Sequence, residues 1–358
     1  MNWSRAMREQ ALLTAAAAAA TIVLVGVWHA RRRRRKRDGS ERVAEVSTPP
    51  CAEAFYAECV RRNVPLVIRG GARAWPAMQW SPDHFEAYGH FEVTVAPLQA
   101  DGPHAHLDKW LEPAELWEHE EADPEVIDAQ QLLVVSASRV RMRMCEFLRL
   151  LRPDSSKTVT FYADGAGNLA HSFPFLRDDF TPPPFAAALE LKRADLWIGG
   201  RSVSRMHFDN LDNVFAQVVG SKTFVLAPPD EGAALQGGRR LRKAANAYTP
   251  PGGFAREGGG VLHETVLNYL GVEPPASLPT VRVTLRPGDM LYLPFGWWHE
   301  VHGEPDASSG LCASVSHFYQ PFFCRLGGRR NTRLGRMIAS PRYDDEEDRS
   351  EFAEGARE

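Results

Sequence analysis

His207 and Asp209 stand two positions apart in the run HFDNLDNVFAQVVGSKTFVLAPPD, and Lys222 follows His207 by fifteen. Side chains two apart on a β-strand share a face, so the imidazole and the carboxylate would look together into whatever the strand encloses, with Phe208 turned away. A second histidine, His299, comes at the end of a strand-like run in PGDMLYLPFGWWHEVHG, just after Pro294 and the pair Trp297-Trp298. Two imidazoles and one carboxylate are the ligand set of a non-haem Fe(II) facial triad. They occupy one face of an octahedron, cancel one of the metal's two charges, and leave three positions open for a bidentate 2-oxo acid and O2. An ammonium at Lys222 would then pair with the distal carboxylate of 2-oxoglutarate. In a dry barrel such a charge-assisted contact contributes about 1.5–3 kcal/mol.

Each of these residues has a plainer reading when taken singly. His207 could be a satisfied core histidine, and Lys222 an exposed lysine at a hairpin turn. The spacing recurs in HAHLD, which holds His106 and Asp108. That copy follows DGP in a loop-like segment with no strand after it and no lysine partner, so His207 and Asp209 are the preferred pair. Strand alternation puts His299 and Val301 on one face and His302 on the other.

The elements that must carry these groups are mostly strands. ADLWIGG, SRMHFDN, NVFAQVVG, KTFVLAPP, TVRVTLRPGDMLYLP, HEVHG and GLCASVSHFYQP alternate or run apolar, with VVGSKT and LRPGDM as turn punctuation that predicts hairpins. No dinucleotide-type βαβ rhythm is present, so a mainly β sandwich or barrel is expected. The first half adds strands VPLVIRGG, HFEVTVAP and KTVTFYAD. It also adds helices at CAEAFYAECVRRN, after Ser81-Pro82, around Pro113 to Glu121, and around Met144 to Leu151. Residues 231–279 interrupt the strands with a Gly/Pro-rich insertion that carries GGRRLRK and a helical piece, HETVLNYLG, and is a candidate substrate-facing loop.

The chain has 358 residues, 44% hydrophobic and 24% charged, enough to bury a large core without disulfides. A formal charge of −3 speaks against a general nucleic-acid-coating protein. The five cysteines form no CxxC pair, which excludes a zinc ribbon or zinc-finger reader and favours a reducing compartment. Residues 11–28 carry no charge and are followed by seven basic residues, Arg31 to Arg37. The charge follows the apolar run, so residues 1–37 are expected to be an uncleaved membrane anchor with the bulk of the chain on the cytosolic side. Organelle import and a nuclear signal are the alternatives. Residues 38–47 read as a linker, 48–324 as the folded domain, and 325–358 as a charged, disordered tail.

HFDNLDNVFAQVVGSKTFVLAPPD together with PGDMLYLPFGWWHEVHG resembles the JmjC domain, specifically the small JmjC-only (cupin-like) hydroxylases. VPLVIRGGARAWPAMQW resembles the N-terminal element of that group, so the likeness runs from about Thr48 to Phe322. The resemblance implies a double-stranded β-helix (jelly-roll or cupin) barrel, mainly β with flanking helices. It implies Fe(II) ligands at His207, Asp209 and His299 and a 2-oxoglutarate carboxylate at Lys222. Asn213, Ser204 and Tyr162 match further cosubstrate contacts. Related proteins often carry VNFWY on the final strand; this chain has Val315-Ser316-His317-Phe318-Tyr319, so Ser316 replaces an asparagine beside the cosubstrate. Trp298 and Trp297 would wall the site, with barrel-rim packing as the plainer role.

The reaction so implied consumes O2 and 2-oxoglutarate, releases succinate and CO2, and hydroxylates a substrate C–H bond. A protein or peptide side chain is the expected substrate. The alternatives are an RNA or tRNA base, with Arg239 to Lys243 as a phosphate-binding loop, a histone-lysine demethylase, and a catalytically idle cupin that acts as a binding or adaptor module.

Overall fold

The computed structural model describes residues 43–113, 132–152, 159–163, 173–229, 231, 241–249, 253–266, 269–271 and 273–321. The apolar run, the basic cluster, most of the Pro113 to Glu121 helix, Arg239, Arg240 and the charged tail lie outside them. The membrane-anchored placement expected from residues 11–30 is corrected. No helix among the described residues is long and apolar enough to cross a membrane.

Seven strands come first: β1 (Ala44–Val46), β2 (Leu66–Ile68), β3 (Glu92–Gln99), β4 (Trp110–Pro113), β5 (Leu132–Ala137), β6 (Val140–Arg143) and β7 (Val159–Ala163). Then β8 (Leu191–Gly199), β9 (Ser202–His207), β10 (Asp212–Val219) and β11 (Ser221–Ala227) follow with almost no connecting chain. After β12 (Leu241–Thr249) and β13 (Gly253–Val266) come β14 (Val281–Leu285), β15 (Met290–Leu293), β16 (Trp298–Glu304) and β17 (Cys312–Tyr319). One sheet has the order β1-β2-β15-β10-β17-β8-β7-β3-β6, a second β14-β11-β16-β9, and a third β13-β12-β5-β4. From β8 to β11 and from β14 to β17 the chain alternates between the first two sheets, whose four-strand portions β15-β10-β17-β8 and β14-β11-β16-β9 form the two layers of a jelly roll. Phe215, Leu291 and Leu293 from one layer meet Phe224, Leu226, Val283 and Leu285 from the other. This is the cupin-like double-stranded β-helix.

The hairpins expected at VVGSKT and LRPGDM are therefore not hairpins. β10 and β11 share a tight turn but pair in different sheets, as do β14 and β15. Gly220 has φ 69°, and a Cβ there would lie 2.6 Å from the carbonyl oxygen of Glu304. A glycine lets the chain roll over the end of β16 into the other layer. Turn chemistry predicts that the chain reverses; it does not say with which strand it then pairs.

The helical expectations fare better where local chemistry sets them. Ser81 Oγ accepts from the His84 amide at 3.2 Å and caps the helix Pro82–Glu86, with Pro82 at its first position. Met144–Leu151 is helical and buries Met144, Phe147, Leu148 and Leu151. Ala52–Phe55 continues as a π turn through Val60, and Phe55 meets Phe185 and Tyr292 edge-on at 4.9 and 4.8 Å. HETVLNYLG, by contrast, is no helix: β13 runs through Val266, paired with β12, and Tyr269 makes an isolated bridge to His207. Strand pairing overrides a short helical period here. Arg242 and Lys243 likewise belong to β12, in parallel register with β5, rather than to a loop. Ala44–Val46, in the stretch read as a linker, is a strand paired with β2.

Candidate metal centre

Each metal-ligand candidate is placed by a different local device. His207 is the last residue of β9, and Asp209 lies just beyond that strand rather than on it. The turn still brings them together: His207 Nε2 is 3.9 Å from Asp209 Oδ1, and His299 Nε2 is 3.7 Å from Asp209 Oδ2. The two rings lie 4.2 Å apart between centroids, in a directly opposed pair of β9 and β16. One ligand atom from each of the three falls within 4.8 Å of the others, and among the described residues no other such group of three occurs. Gly296 binds the two halves: its amide donates to the Asp209 carbonyl at 3.1 Å, and its φ of 75° suits glycine.

The ring nitrogens are held for the same purpose. His207 Nδ1 lies 2.7 Å from the Arg205 carbonyl, and His299 Nδ1 lies 2.9 Å from the Trp297 carbonyl. A carbonyl only accepts, so each neutral ring carries its proton on Nδ1 and turns a bare Nε2 lone pair to Asp209. Burial lowers the pKa of both imidazoles; for His299, with His207 beside it, the value falls to about 4. Both rings are neutral at neutral pH, as ligation requires.

Lys222 is 3% exposed, deep in the barrel, opposite Leu285 on one side and Gly303 on the other. Its Nζ lies 5.1 Å from the Phe215 ring and 5.9 Å from Trp197, and burial lowers its pKa to about 8. Gly303 lies beside it: a Cβ there would crowd Ser202 Oγ at 2.8 Å and touch Lys222 Cε at an ordinary contact distance, 3.6 Å. Ser316 is fully buried and accepts from Trp197 Nε1 at 2.9 Å and from Asn213 Nδ2 at 3.3 Å. Asn213 Oδ1 is buried without a hydrogen-bond partner among the described residues. A buried ammonium and three convergent ligand atoms suit a divalent metal and a dicarboxylate.

Ser204 faces the barrel opposite Val301, because a bulge between β9 and β16 shifts the register. The backbone of Tyr162 joins β3 to β8; its side chain lies outside the described residues. Trp298, expected to wall the site, packs elsewhere. Alternation along β16 sends it to the outer face, fully buried with Met206, Phe208, Val225, Leu270 and Leu278. Trp297 holds Asn63 through Nε1 at 2.8 Å, and Trp197 on β8 is the indole beside Lys222. His302 faces away from His299, with Nε2 2.7 Å from Glu300 Oε1. HAHLD forms no metal cluster: Leu107 pairs with Val203 and extends the small sheet beyond β9.

Two site residues escaped the sequence reading. Trp197 anchors Ser316, and nothing in ADLWIGG says which way that indole points. Asp212 is buried, accepts from the Phe295 amide at 2.8 Å, and so fixes the turn before His299; burial raises its pKa to about 7. An acid opening a strand that is buried along nearly its whole length was the available signal.

The sequence profile of the cupin-like domain matches residues 52–325. The Homo sapiens bifunctional peptidase and (3S)-lysyl hydroxylase JMJD7 is 26% identical over 299 residues, covering 77% of this chain and 84% of that protein. The Drosophila melanogaster Jumonji C domain-containing protein 5 is 28% identical over 276 residues, 73% of this chain and 57% of its own length. The tRNA wybutosine-synthesizing protein 4 of Gibberella zeae is 29% identical over 147 residues, 40% of this chain and only 13% of that protein. With the profile spanning most of the sequence and the His-Asp-His cluster inside its barrel, the chain belongs to the cupin-like, JmjC-type family of Fe(II)/2-oxoglutarate oxygenases.

Proposed function

We propose that the protein is a 2-oxoglutarate-dependent hydroxylase of a protein side chain. The observation that carries this reading is the convergence of His207, Asp209 and His299 within 4.8 Å, in the same barrel as a lysine that is almost wholly buried. His207, Asp209 and His299 would hold Fe(II). Lys222 would take the distal carboxylate of 2-oxoglutarate, with Ser204, Asn213 and Ser316 as neighbouring polar contacts. When bound, the iron supplies O2 activation coupled to oxidation of 2-oxoglutarate to succinate and CO2.

The chain's own residues do the positioning. The carbonyls of Arg205 and Trp297 keep the two Nδ1 protons and so present both Nε2 atoms. Asp209 supplies the single negative charge. Phe215, Phe224 and Leu226 surround the pocket with apolar surface and exclude water from it. In that setting the Lys222 ammonium gains more from a carboxylate than it would in water. A protein substrate is favoured by the relatives named for lysyl and histidyl hydroxylation, the second being the bifunctional lysine-specific demethylase and histidyl-hydroxylase NO66 of Drosophila persimilis.

The test is succinate formation from 2-oxoglutarate by the full chain with Fe(II) and ascorbate, beside an Asp209→Ala control. Slow turnover without a prime substrate, lost in Asp209→Ala, is the expected result. No turnover, with no thermal shift caused by Fe(II) and 2-oxoglutarate together, would sink the reading.

A further inference from the structure

The segment His104–Trp110 does more than cover the free edge of β9. Val203 donates to the His106 carbonyl at 2.7 Å, and Asp108 donates to the Val203 carbonyl at 3.1 Å, so the segment acts as one more strand. Leu107 turns outward and packs with Trp110, Leu133, Val135 and Ala244 of the third sheet. Asp108 takes the other side, where the Ser204 hydroxyl and the Lys109 amide hydrogen-bond its carboxylate. Ser204 is opposite Val301, whose side chain packs in the barrel interior, so Asp108 borders the chamber that holds the His-Asp-His cluster. Tyr269 ties the two together: its backbone bridges His207, and its hydroxyl donates to the Lys109 carbonyl at 2.8 Å.

We propose that Asp108 is a specificity-determining residue that takes a cationic side chain, a lysine ammonium or an arginine guanidinium, on the substrate. The inference rests on the hydroxylase reading above. One carboxylate oxygen, Oδ1, is buried without a hydrogen-bond partner among the described residues. A carboxylate with one oxygen so bare is costly unless a donor reaches it, and a charged donor is the strongest complement. Burial holds the Asp108 carboxyl above its ordinary range, opposed by the nearby Lys109 charge and by the hydrogen bonds from Ser204 and the Lys109 amide. Of the other acids, Asp209 belongs to the His-Asp-His cluster itself, and Asp195 on β8 already receives Arg193 Nε at 3.0 Å. An acidic substrate side chain would meet Asp108 as a like charge.

The test separates binding from turnover. The probes are Gly/Ala-flanked dodecapeptides that differ only at the central residue: lysine, arginine, norleucine or glutamine. Each is titrated into the anaerobic full-length protein with Fe(II) and 2-oxoglutarate. The expected result is that a lysine or arginine centre binds about tenfold to a hundredfold tighter than the uncharged centres. Asp108→Asn brings that ratio to within about twofold, and Asp108→Glu retains most of it. Whichever cation binds more tightly identifies the source of the charge. Equal binding of all four peptides, or no binding by any, overturns the proposal even if the variants fail to fold. A ratio retained in Asp108→Asn also overturns it. A charge preference that depends on Asp108 in a protein that forms no succinate would support the pocket while sinking the hydroxylase reading.

Discussion

Lys222 shows what a buried charge costs a fold. Its ammonium is buried against two aromatic rings, and its pKa is lowered from 10.5 to about 8. A depressed folded-state value means stability that is present above the unfolded pKa and lost as pH falls through 8. At pH 7 the metal-free fold therefore carries the penalty. Lys222→Met is expected to raise stability toward urea by roughly 2–3 kcal/mol at pH 7 while abolishing the stabilisation that 2-oxoglutarate gives. A variant less stable than wild type would show that the aromatic contacts outweigh desolvation. Ser316 is the converse case. Ser316→Ala removes the acceptor of both Trp197 and Asn213 and is expected to destabilise by about 1–3 kcal/mol, read as a lower urea midpoint at unchanged slope. The convergence of His207, Asp209 and His299, and the placing of Lys222 in the same barrel, were legible in the sequence because such residues are unusual on strands at that spacing. The role of Ser316 was only half legible: its partners come from β8 and β10, and no local pattern announces a hydrogen bond between strands so distant in sequence.

The same divide between local and non-local information governs the elements. Strand positions from ADLWIGG to GLCASVSHFYQP, the Ser81 cap and the Met144–Leu151 helix follow from periodicity and capping, which act within a few residues. Sheet membership does not. β10 is opposite β15 and β17, and β11 is opposite β14 and β16, although a single turn joins β10 to β11. The faces of β16 were read correctly for His299 and His302, yet Trp298 was drawn to the site by sequence adjacency alone. Its odd-numbered neighbours point in, and it points out. The glycine at the β10–β11 crossover gives this a test. Gly220→Ala must place a Cβ 2.6 Å from the Glu304 carbonyl oxygen at a φ of 69°. The backbone on both sides cannot swing aside as a side chain would, so a loss of about 1–3 kcal/mol in urea unfolding is expected. A change below a few tenths would mean that the turn can relax and that the crossover is not held by glycine. Gly303→Ala should act differently, because its nearest neighbour is a rotatable hydroxyl, Ser202 Oγ. Its expected signature is a smaller loss of stability than that of Gly220→Ala, because the hydroxyl can rotate away and Lys222 Cε stays at ordinary contact distance, 3.6 Å.

At the scale of the whole molecule, the barrel is wrapped so that several titratable groups are buried without their charge, and their pKa shifts oppose each other across neutrality. His317 lies on the outer face of the large sheet, fully buried between Trp75 and Phe180, each 5.7 Å away, and burial lowers its pKa from 6.5 to about 4. That depressed value gives stability present above pH 6.5 and lost progressively as pH falls toward 4, because the unfolded chain takes up the proton first. His299 acts in the same direction. Asp212 has the opposite sign: its pKa is raised from 3.8 to about 7, so its contribution is present below 3.8 and lost as pH rises through 7. Two histidines outweigh one acid between pH 4 and 6.5, so the metal-free protein should gain stability as pH rises through that window, with the acid limb set by the buried histidines. Each histidine contributes up to roughly 3 kcal/mol between pH 6.5 and 4. His317→Leu should flatten the acid limb by roughly that amount without touching His207, Asp209 or His299, and Fe(II) held by the proposed cluster should remove the His299 share, since a ligated imidazole cannot protonate. Urea unfolding at pH 7.5, 5.5 and 4.5 reads both effects. If the wild-type and His317→Leu curves run parallel across that range, acid sensitivity comes from elsewhere, and His317 is no more than a filler of the space between Trp75 and Phe180.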